Sequence, residues 1–150
     1  MKVLKTYSVK LVKEKSALYD IEDNRVTSPE SVARIIQEAL DLENATQEHF
    51  VTLALNTKNK VIGIHTIHIG TLNMSVVHPR DVLQRVILNN ASAFICVHNH
   101  PSGDTKPSSE DFNVTDRLVE ASKIIGIDFL DHIIVGEGLN YTSLKEIGKM

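Results

Sequence analysis

Residues 91–111 read ASAFICVHNHPSGDTKPSSED, an apolar run that passes through a polar turn into a helix signal. The run ASAFICVH is mostly apolar and predicts a short strand buried inside a sheet. Because alternate side chains of a strand point the same way, His98 and His100 share one face at the end of this strand. Pro101 keeps His100 extended, and the Ser-Gly-Asp sequence at 102–104 then favours a tight turn.

A long helix is predicted to begin at Ser108 and to run through DFNVTDRLVEASKIIG, residues 111–126. Asp111 falls in its first turn, so the loop can bring this carboxylate back toward the two imidazoles. Ser108 and Asp111 also fit a capping box, which by itself would make them ordinary helix-end residues. Two imidazoles and one carboxylate, however, leave the fourth position of a tetrahedral metal open. That arrangement is typical of a catalytic zinc site, whereas structural sites are closed and usually rich in cysteine.

The remaining patterns give the order β-α-β-β-α-β-α-β, which predicts an α/β fold with a mixed sheet flanked by helices. Ser28 and Pro29 supply an N-cap and a first-turn proline for a helix through VARIIQEAL. The other predicted elements are strands at 6–12, 49–56, 61–70 and 128–136, the middle two as a hairpin, and a helix at 79–90. Only the region near residue 25 resembles a linker. We therefore predict one domain at 28–150, preceded by an N-terminal strand and linker at 1–27.

Composition narrows the class of protein. The chain has 150 residues, of which 42% are hydrophobic and 23% charged, as in ordinary globular domains. Cys96 is the only cysteine, which excludes an intrachain disulfide and favours a reducing, cytoplasmic setting. No apolar run is long enough for a membrane span, and the N-terminus lacks the apolar core of a signal peptide. We expect a cytoplasmic protein with no membrane contact.

The charge is distributed unevenly. Five lysines against Glu14 give residues 1–15 about +4, which leaves about −7 for the rest of a chain whose net charge is −3. Lysines that protect an exposed edge strand explain this segment better than an arm for nucleic acid. The chain has no tryptophan and 5% aromatic residues, so platforms for base stacking are scarce. A DNA partner is thus conceivable but is not supported by the charge.

The full spacing H-x-H-x7-S-x2-D resembles the signature of the JAMM, or MPN-plus, metalloprotease-like domain. HNHPSGD, with VHPRDVL upstream, resembles the RadC family in particular, and the resemblance covers residues 28–150. It implies a single JAB/MPN domain, cytidine-deaminase-like in fold, with Zn²⁺ held by His98, His100 and Asp111. The family also has a glutamate at the start of an upstream strand, and Glu48 in TQEHFVTLALNTKNKVIG matches that position.

The resemblance further implies a role for each catalytic residue. Glu48 would act as general base toward a zinc-activated water and pass the proton to a leaving amine. Ser108 would donate a hydrogen bond to the developing oxyanion, and its hydroxyl could accept a capping bond at the same time. Without the resemblance, Glu48 would be interpreted as a surface carboxylate at a strand end. The implied reaction is hydrolysis of a peptide or isopeptide amide in a substrate that the sequence does not identify.

Several neighbouring residues have plainer explanations. Cys96 shares the strand face of the two histidines and could be a fourth ligand, but a buried cysteine packed under the site is the favoured interpretation. His65 and His68 are an odd number of positions apart, so we expect them on opposite faces as surface or rim residues. An HNH nuclease unit is not supported. A zinc nucleoside deaminase would need a Pro-Cys-x-x-Cys pair, which a single cysteine excludes.

Three functions are therefore compared. The first is a zinc hydrolase, and the second is a zinc-containing interaction module without catalysis. The third is a DNA-associated accessory role, since RadC proteins were historically assigned to DNA repair. Larger RadC proteins carry an N-terminal helix-hairpin-helix region thought to contact DNA, and we identify no such region in this chain. No oligomeric state is predicted.

Overall fold

A computed structural model describes residues 1–16, 23–70 and 77–150. Within these ranges, five strands form one sheet: β1 Glu48–Leu55, β2 Val61–Gly70, β3 Ala93–Asn99, β4 Asp128–Val135 and β5 Tyr141–Ser143. Their order across the sheet is β2-β1-β3-β4-β5. Only β3 and β4 pair in parallel, so the sheet is mixed. The described helices are α1 Pro29–Leu40, α2 Pro79–Leu88 and α3 Ser109–Ile125, with a 3-10 helix at Leu42–Asn44.

Alternation along the central strands divides the core into two layers. Val51 and Leu53 of β1 are buried against α1, whereas Phe50 and Ala54 are buried on the opposite face, against α2 and α3. Helices thus cover both faces, as expected for strands that are buried on two sides. The predicted α/β fold, a mixed sheet flanked by helices, is confirmed. The candidate site lies on the face that α2 and α3 cover.

Capping residues set the helix boundaries that matter for the site. The Ser108 side chain accepts from the Asp111 backbone, and the Asp111 side chain accepts from the Ser108 backbone, so the capping box is formed. α3 ends at Gly126, whose φ of 77° lies in the left-handed region that favours glycine. This helix therefore begins and ends within a residue of the prediction, with Asp111 in its first turn.

The predicted strand at 6–12 is wrong. Residues 1–16 form neither helix nor strand and are exposed. An alternating sequence gains strand stability only by joining a sheet, and the described sheet consists of β2, β1, β3, β4 and β5 without this segment. The lysines of residues 1–15 therefore do not protect an edge strand. The proposed division at residue 27 stays a prediction.

Two smaller differences occur at other edges of the sheet. The C-terminal tail contains β5, three residues that pair with β4 and that are too few to give a periodic pattern. Arg25, in the region predicted as a linker, forms a β-bridge with Lys60 in the turn between β1 and β2. None of the described helices is long and apolar enough to cross a membrane.

Candidate metal centre

Three elements meet at the candidate site. β3 carries His98 at its end, and His100 follows directly after the strand. Phe50 of β1 pairs with His98, so Glu48, two residues earlier, extends toward His100 on the same face of the sheet. The first turn of α3 brings Asp111 onto this face. The fold therefore brings four of the five predicted site residues together from positions far apart in the sequence.

The two imidazoles and the Asp111 carboxylate form one cluster. The Nε2 atoms of His98 and His100 are 3.1 Å apart. Asp111 Oδ1 lies 3.1 Å from His98 Nε2, and Asp111 Oδ2 lies 3.5 Å from His100 Nε2. One ligand atom from each residue lies within 4.8 Å of the others. His98 and Asp111 are fully buried, and His100 is mostly buried.

One oxygen of the Asp111 carboxylate has no hydrogen-bond partner. Among the buried side-chain oxygen and nitrogen atoms of the described residues, Asp111 Oδ1 is the one without such a bond. The other oxygen of this carboxylate, Oδ2, accepts from the Ser108 backbone N–H at 2.7 Å. An unpaired buried carboxylate oxygen costs free energy unless a cation or a donor satisfies it. Its environment therefore fits a cation bound between Asp111 and the two histidines.

The protonation of His100 supports the same conclusion. His100 Nδ1 lies 2.7 Å from the Asp104 carbonyl, which can only accept, so Nδ1 carries the ring proton. In the neutral ring, Nε2 then presents a lone pair to His98 and Asp111. His98 Nε2 lies 3.1 Å from both His100 Nε2 and Asp111 Oδ1, close to the separation of about 3.3 Å between ligands that lie about 2.0–2.1 Å from a small tetrahedral ion. The residues present fit a divalent metal held by His98, His100 and Asp111.

The electrostatics of the cluster favour positive charge. Burial raises the pKa of the Asp111 carboxyl, but the imidazoles of His100 and His98 outweigh burial and hold that pKa well below its usual range. The contact with Asp111 raises the pKa of His100, although burial opposes it. Asp111 is thus an anion at neutral pH, and the metal-free site attracts a proton that a metal would replace.

Glu48 is the first residue of β1 and is buried. Burial raises its pKa, while the charges of His98 and His100 lower it in part. Asn99, the middle residue of H-N-H, fixes the backbone on both sides of this glutamate. Its side chain accepts from the His49 N–H at 2.7 Å and donates to the Gln47 carbonyl at 3.0 Å. This amide therefore holds the distant carboxylate in register with the metal cluster.

Ser108 lies at the exposed rim of the site. Its Oγ accepts from the Asp111 N–H at 3.2 Å, which is the capping bond. Within the described residues, its hydroxyl proton has no acceptor, so it remains able to donate to a ligand. Capping and donation are compatible for this side chain, because a hydroxyl has one donor and two acceptor lone pairs.

Cys96 lies below the site rather than in it. The residue is fully buried, and its thiol contacts Thr52 Oγ1 at 3.6 Å. Burial raises the pKa of this thiol to about 12, so it stays protonated. The favoured interpretation, a cysteine packed under the histidines, agrees with this environment, since a zinc ligand would have to be a thiolate.

The prediction that His65 and His68 face opposite ways is wrong. His68 pairs with Phe50 and His65 pairs with Thr52, so both side chains lie on the site face of the sheet. A bulge at Ile67 inserts one extra residue into β2 and changes the alternation. His68 is partly buried beside Phe50 on this face, and its charge lowers the pKa of Glu48.

Two further residues were not predicted. His132 of β4 and Thr115 of α3 are fully buried behind His98. His98 Nδ1 lies 2.8 Å from His132 Nε2, and His132 Nδ1 lies 2.6 Å from Thr115 Oγ1. Phe50 covers both imidazoles, stacked on His98 and edge-on to His132. His98 is therefore held by a hydrogen-bonded pair of polar side chains that are buried away from solvent.

Comparison with known proteins identifies the family of this chain. A family model described as "RadC-like JAB domain" matches residues 26–149. The chain belongs to this RadC-like JAB domain family. A UPF0758 protein of Clostridium acetobutylicum is 49% identical over 138 residues, which cover 92% of this chain and 59% of that protein. The UPF0758 protein YsxA of Bacillus subtilis is 52% identical over 123 residues, covering 82% of this chain and 52% of YsxA.

These comparisons support the family and the fold. A relative from Caldanaerobacter subterraneus is 53% identical over 127 residues, 85% of this chain and 53% of that protein. The chain thus spans somewhat more than half the length of the relatives it matches. The names of these three relatives state no activity. The expectation of a JAB-type domain is confirmed, and the activity is a separate inference.

Proposed function

We propose that this RadC-like JAB domain is a zinc-dependent hydrolase of the JAMM type that cleaves a peptide or isopeptide amide. The observation that carries the proposal is the buried Asp111 Oδ1 without a hydrogen bond, which lies 3.1 Å from His98 Nε2 in a cluster that also contains His100 Nε2. Three ligands leave one tetrahedral position for water, as in catalytic zinc sites. When bound there, zinc would lower the pKa of a coordinated water from 15.7 to about 7 and act as a Lewis acid.

The chain's own residues would divide the remaining work. Glu48 would take a proton from the attacking water and deliver it to the leaving amine. Its raised pKa brings it nearer to the operating pH, where a general base is most effective. Ser108, at the rim, would donate its free hydroxyl proton to the developing oxyanion. Asn99 would keep the Glu48 backbone in place during both proton transfers.

The first experiment is a metal analysis of protein purified without chelators. We expect about one zinc per chain by mass spectrometry of the metal, because the ligand set fits one ion. Protein that is metal-free and that takes up no zinc on titration would contradict the proposal. A screen of peptide, isopeptide and ester substrates then tests the chemistry. Zinc without turnover would favour the alternative, a zinc-containing interaction module.

Zinc affinity should fall on acidification. Zinc needs the lone pair on His100 Nε2, and the pKa of His100 is raised by its contact with Asp111. Protons should therefore begin to compete at a pH above about 6.5, the usual value for histidine, by about tenfold in affinity per pH unit for each proton displaced. Asp111 should not compete in this range, because its pKa is lowered. Competition titrations with a zinc chelator between about pH 8 and 5 measure the slope, and a flat profile would count against imidazole ligands.

A DNA-associated role is a second candidate, supported by the exposed basic segment. Residues 1–16 are exposed and form neither helix nor strand, so the edge-strand explanation for their lysines does not apply. If this segment contacts phosphates, binding to duplex DNA should weaken steeply with salt and should be lost on deletion of residues 1–16. Absence of binding at about 50 mM salt would remove this candidate. The cytoplasmic setting favoured by the single cysteine stays a prediction.

A further inference from the structure

A chain of hydrogen bonds runs behind the metal cluster from Asp111 back to His98. Its first member is the Asp111 carbonyl, which lies 2.6 Å from Thr115 Oγ1. A carbonyl has no proton to donate, so the single hydroxyl proton of Thr115 must point to it. Thr115 Oγ1 can then only accept from its other neighbour, His132 Nδ1, at 2.6 Å. His132 therefore carries its ring proton on Nδ1.

The same reasoning extends to the metal ligand. With its proton on Nδ1, His132 has an unprotonated Nε2, which lies 2.8 Å from His98 Nδ1. This contact is a hydrogen bond only if His98 Nδ1 carries the proton. In the neutral ring, His98 Nε2 then keeps a lone pair, and this atom faces Asp111 and His100. Each bond in the chain thus determines the direction of the next.

We propose that His132 is a positioning residue that, together with Thr115, holds His98 in the tautomer required of a metal ligand. This inference rests on the proposed function, since it concerns the same metal. Metal-bound histidines generally donate their second ring N–H to a carboxylate, a backbone carbonyl or water. Here the acceptor is a second, fully buried imidazole. The hydrogen-bond pattern requires the neutral ring of His132, which orients His98 without adding negative charge behind the metal.

Burial makes the direction of the chain important. His98, Thr115 and His132 are all fully buried, and Phe50 covers both rings. Water cannot replace a lost partner there, so an unpaired N–H would remain unsatisfied. The wrong tautomer of His98 would direct a proton, rather than a lone pair, at the metal. These hydrogen bonds thus hold His98 in the tautomer that binds a metal, even in the metal-free protein.

The test combines two readouts on the full chain. Zinc affinity is measured by chelator competition, and the tautomer of His98 is measured by long-range ¹H–¹⁵N correlation in metal-free protein at about pH 8, above the usual pKa of histidine. Thr115→Val removes the hydroxyl at nearly constant shape, and His132→Leu removes both ring nitrogens. His132→Gln keeps an acceptor in reach of His98 Nδ1. Ser122→Ala is the matched control, because it removes a buried hydroxyl of α3 that donates to the Val119 carbonyl, away from His98, His132 and Thr115 in the hydrogen bonds of the described residues.

We expect Thr115→Val and His132→Leu to weaken zinc binding by about 10–100-fold, and His132→Gln to restore most of the loss. His98 should carry its proton on Nδ1 in the parent and in Ser122→Ala, and lose this preference in Thr115→Val. Zinc affinities of Thr115→Val and His132→Leu within about twofold of the parent would overturn the inference, as would a proton on His98 Nε2 in the metal-free parent. An Nδ1 proton in a parent that binds no zinc would support the hydrogen-bond chain and overturn the proposed hydrolase instead.

Discussion

Asp111→Asn is expected to lower the affinity for zinc by at least about 100-fold. Loss of a residue that merely supports a metal ligand costs about 10–100-fold, so loss of a ligand should cost more. Asparagine has nearly the same shape and keeps an oxygen that can accept from the Ser108 N–H, so the cap of α3 should survive. What changes is the charge of the group that faces the two imidazoles. Chelator competition with purified protein measures the loss.

Asp116→Asn is the matched control for this substitution. Asp116 lies on the same helix but is exposed and outside the metal cluster, so the same chemical change there should leave zinc affinity unaltered. Thermal unfolding of the metal-free proteins checks that α3 is intact in both. If Asp111→Asn bound zinc within about threefold of the parent, Asp111 would be a helix cap and not a ligand.

Features that depend on a few neighbouring residues could be predicted from the sequence. Strand alternation placed His98 and His100 on one face, and the capping pattern placed Asp111 in the first turn of α3. Glu48 is different, because strand alternation and local chemistry alone would have left it a surface carboxylate. Only the family resemblance connected it with the histidines, which follow about fifty positions later. The structure brings them together through antiparallel pairing of β1 with β3.

The residues that were missed act over longer distances. Thr115 and His132 meet across the contact between α3 and β4, and each fits its own helix or strand pattern without any sign of the other. The bulge at Ile67 has no local signal either, yet it reverses the expected facing of His65 relative to His68. The strand predicted from alternation at residues 6–12 was wrong for a related reason. A strand pattern predicts a strand only where a partner edge is available.

Glu48→Gln is expected to lower turnover by about 10²–10⁴-fold while zinc stays bound. The amide of glutamine has nearly the same size as the carboxylate but cannot accept a proton, which is the step assigned to a general base. Glu48 is not one of the three clustered ligands, so the metal content should not change. Burial raises the pKa of Glu48, because an ionised carboxylate is destabilised there. Glutamine carries no charge, so the free energy of unfolding of the variant should be at least that of the parent.

The measurement uses whichever amide or ester the parent turns over in the substrate screen, at saturating zinc. Glu120→Gln is the matched control, because Glu120 is exposed on α3 and the same change there should leave the rate unaltered. The combination of lost turnover, retained zinc and an unaffected control would separate a catalytic role from a loss of structure. Turnover by Glu48→Gln within about threefold of the parent would exclude Glu48 as the general base. In that case the buried cluster would remain a metal site whose chemistry depends on another group, with His68 on the same face of the sheet as the next residue to test.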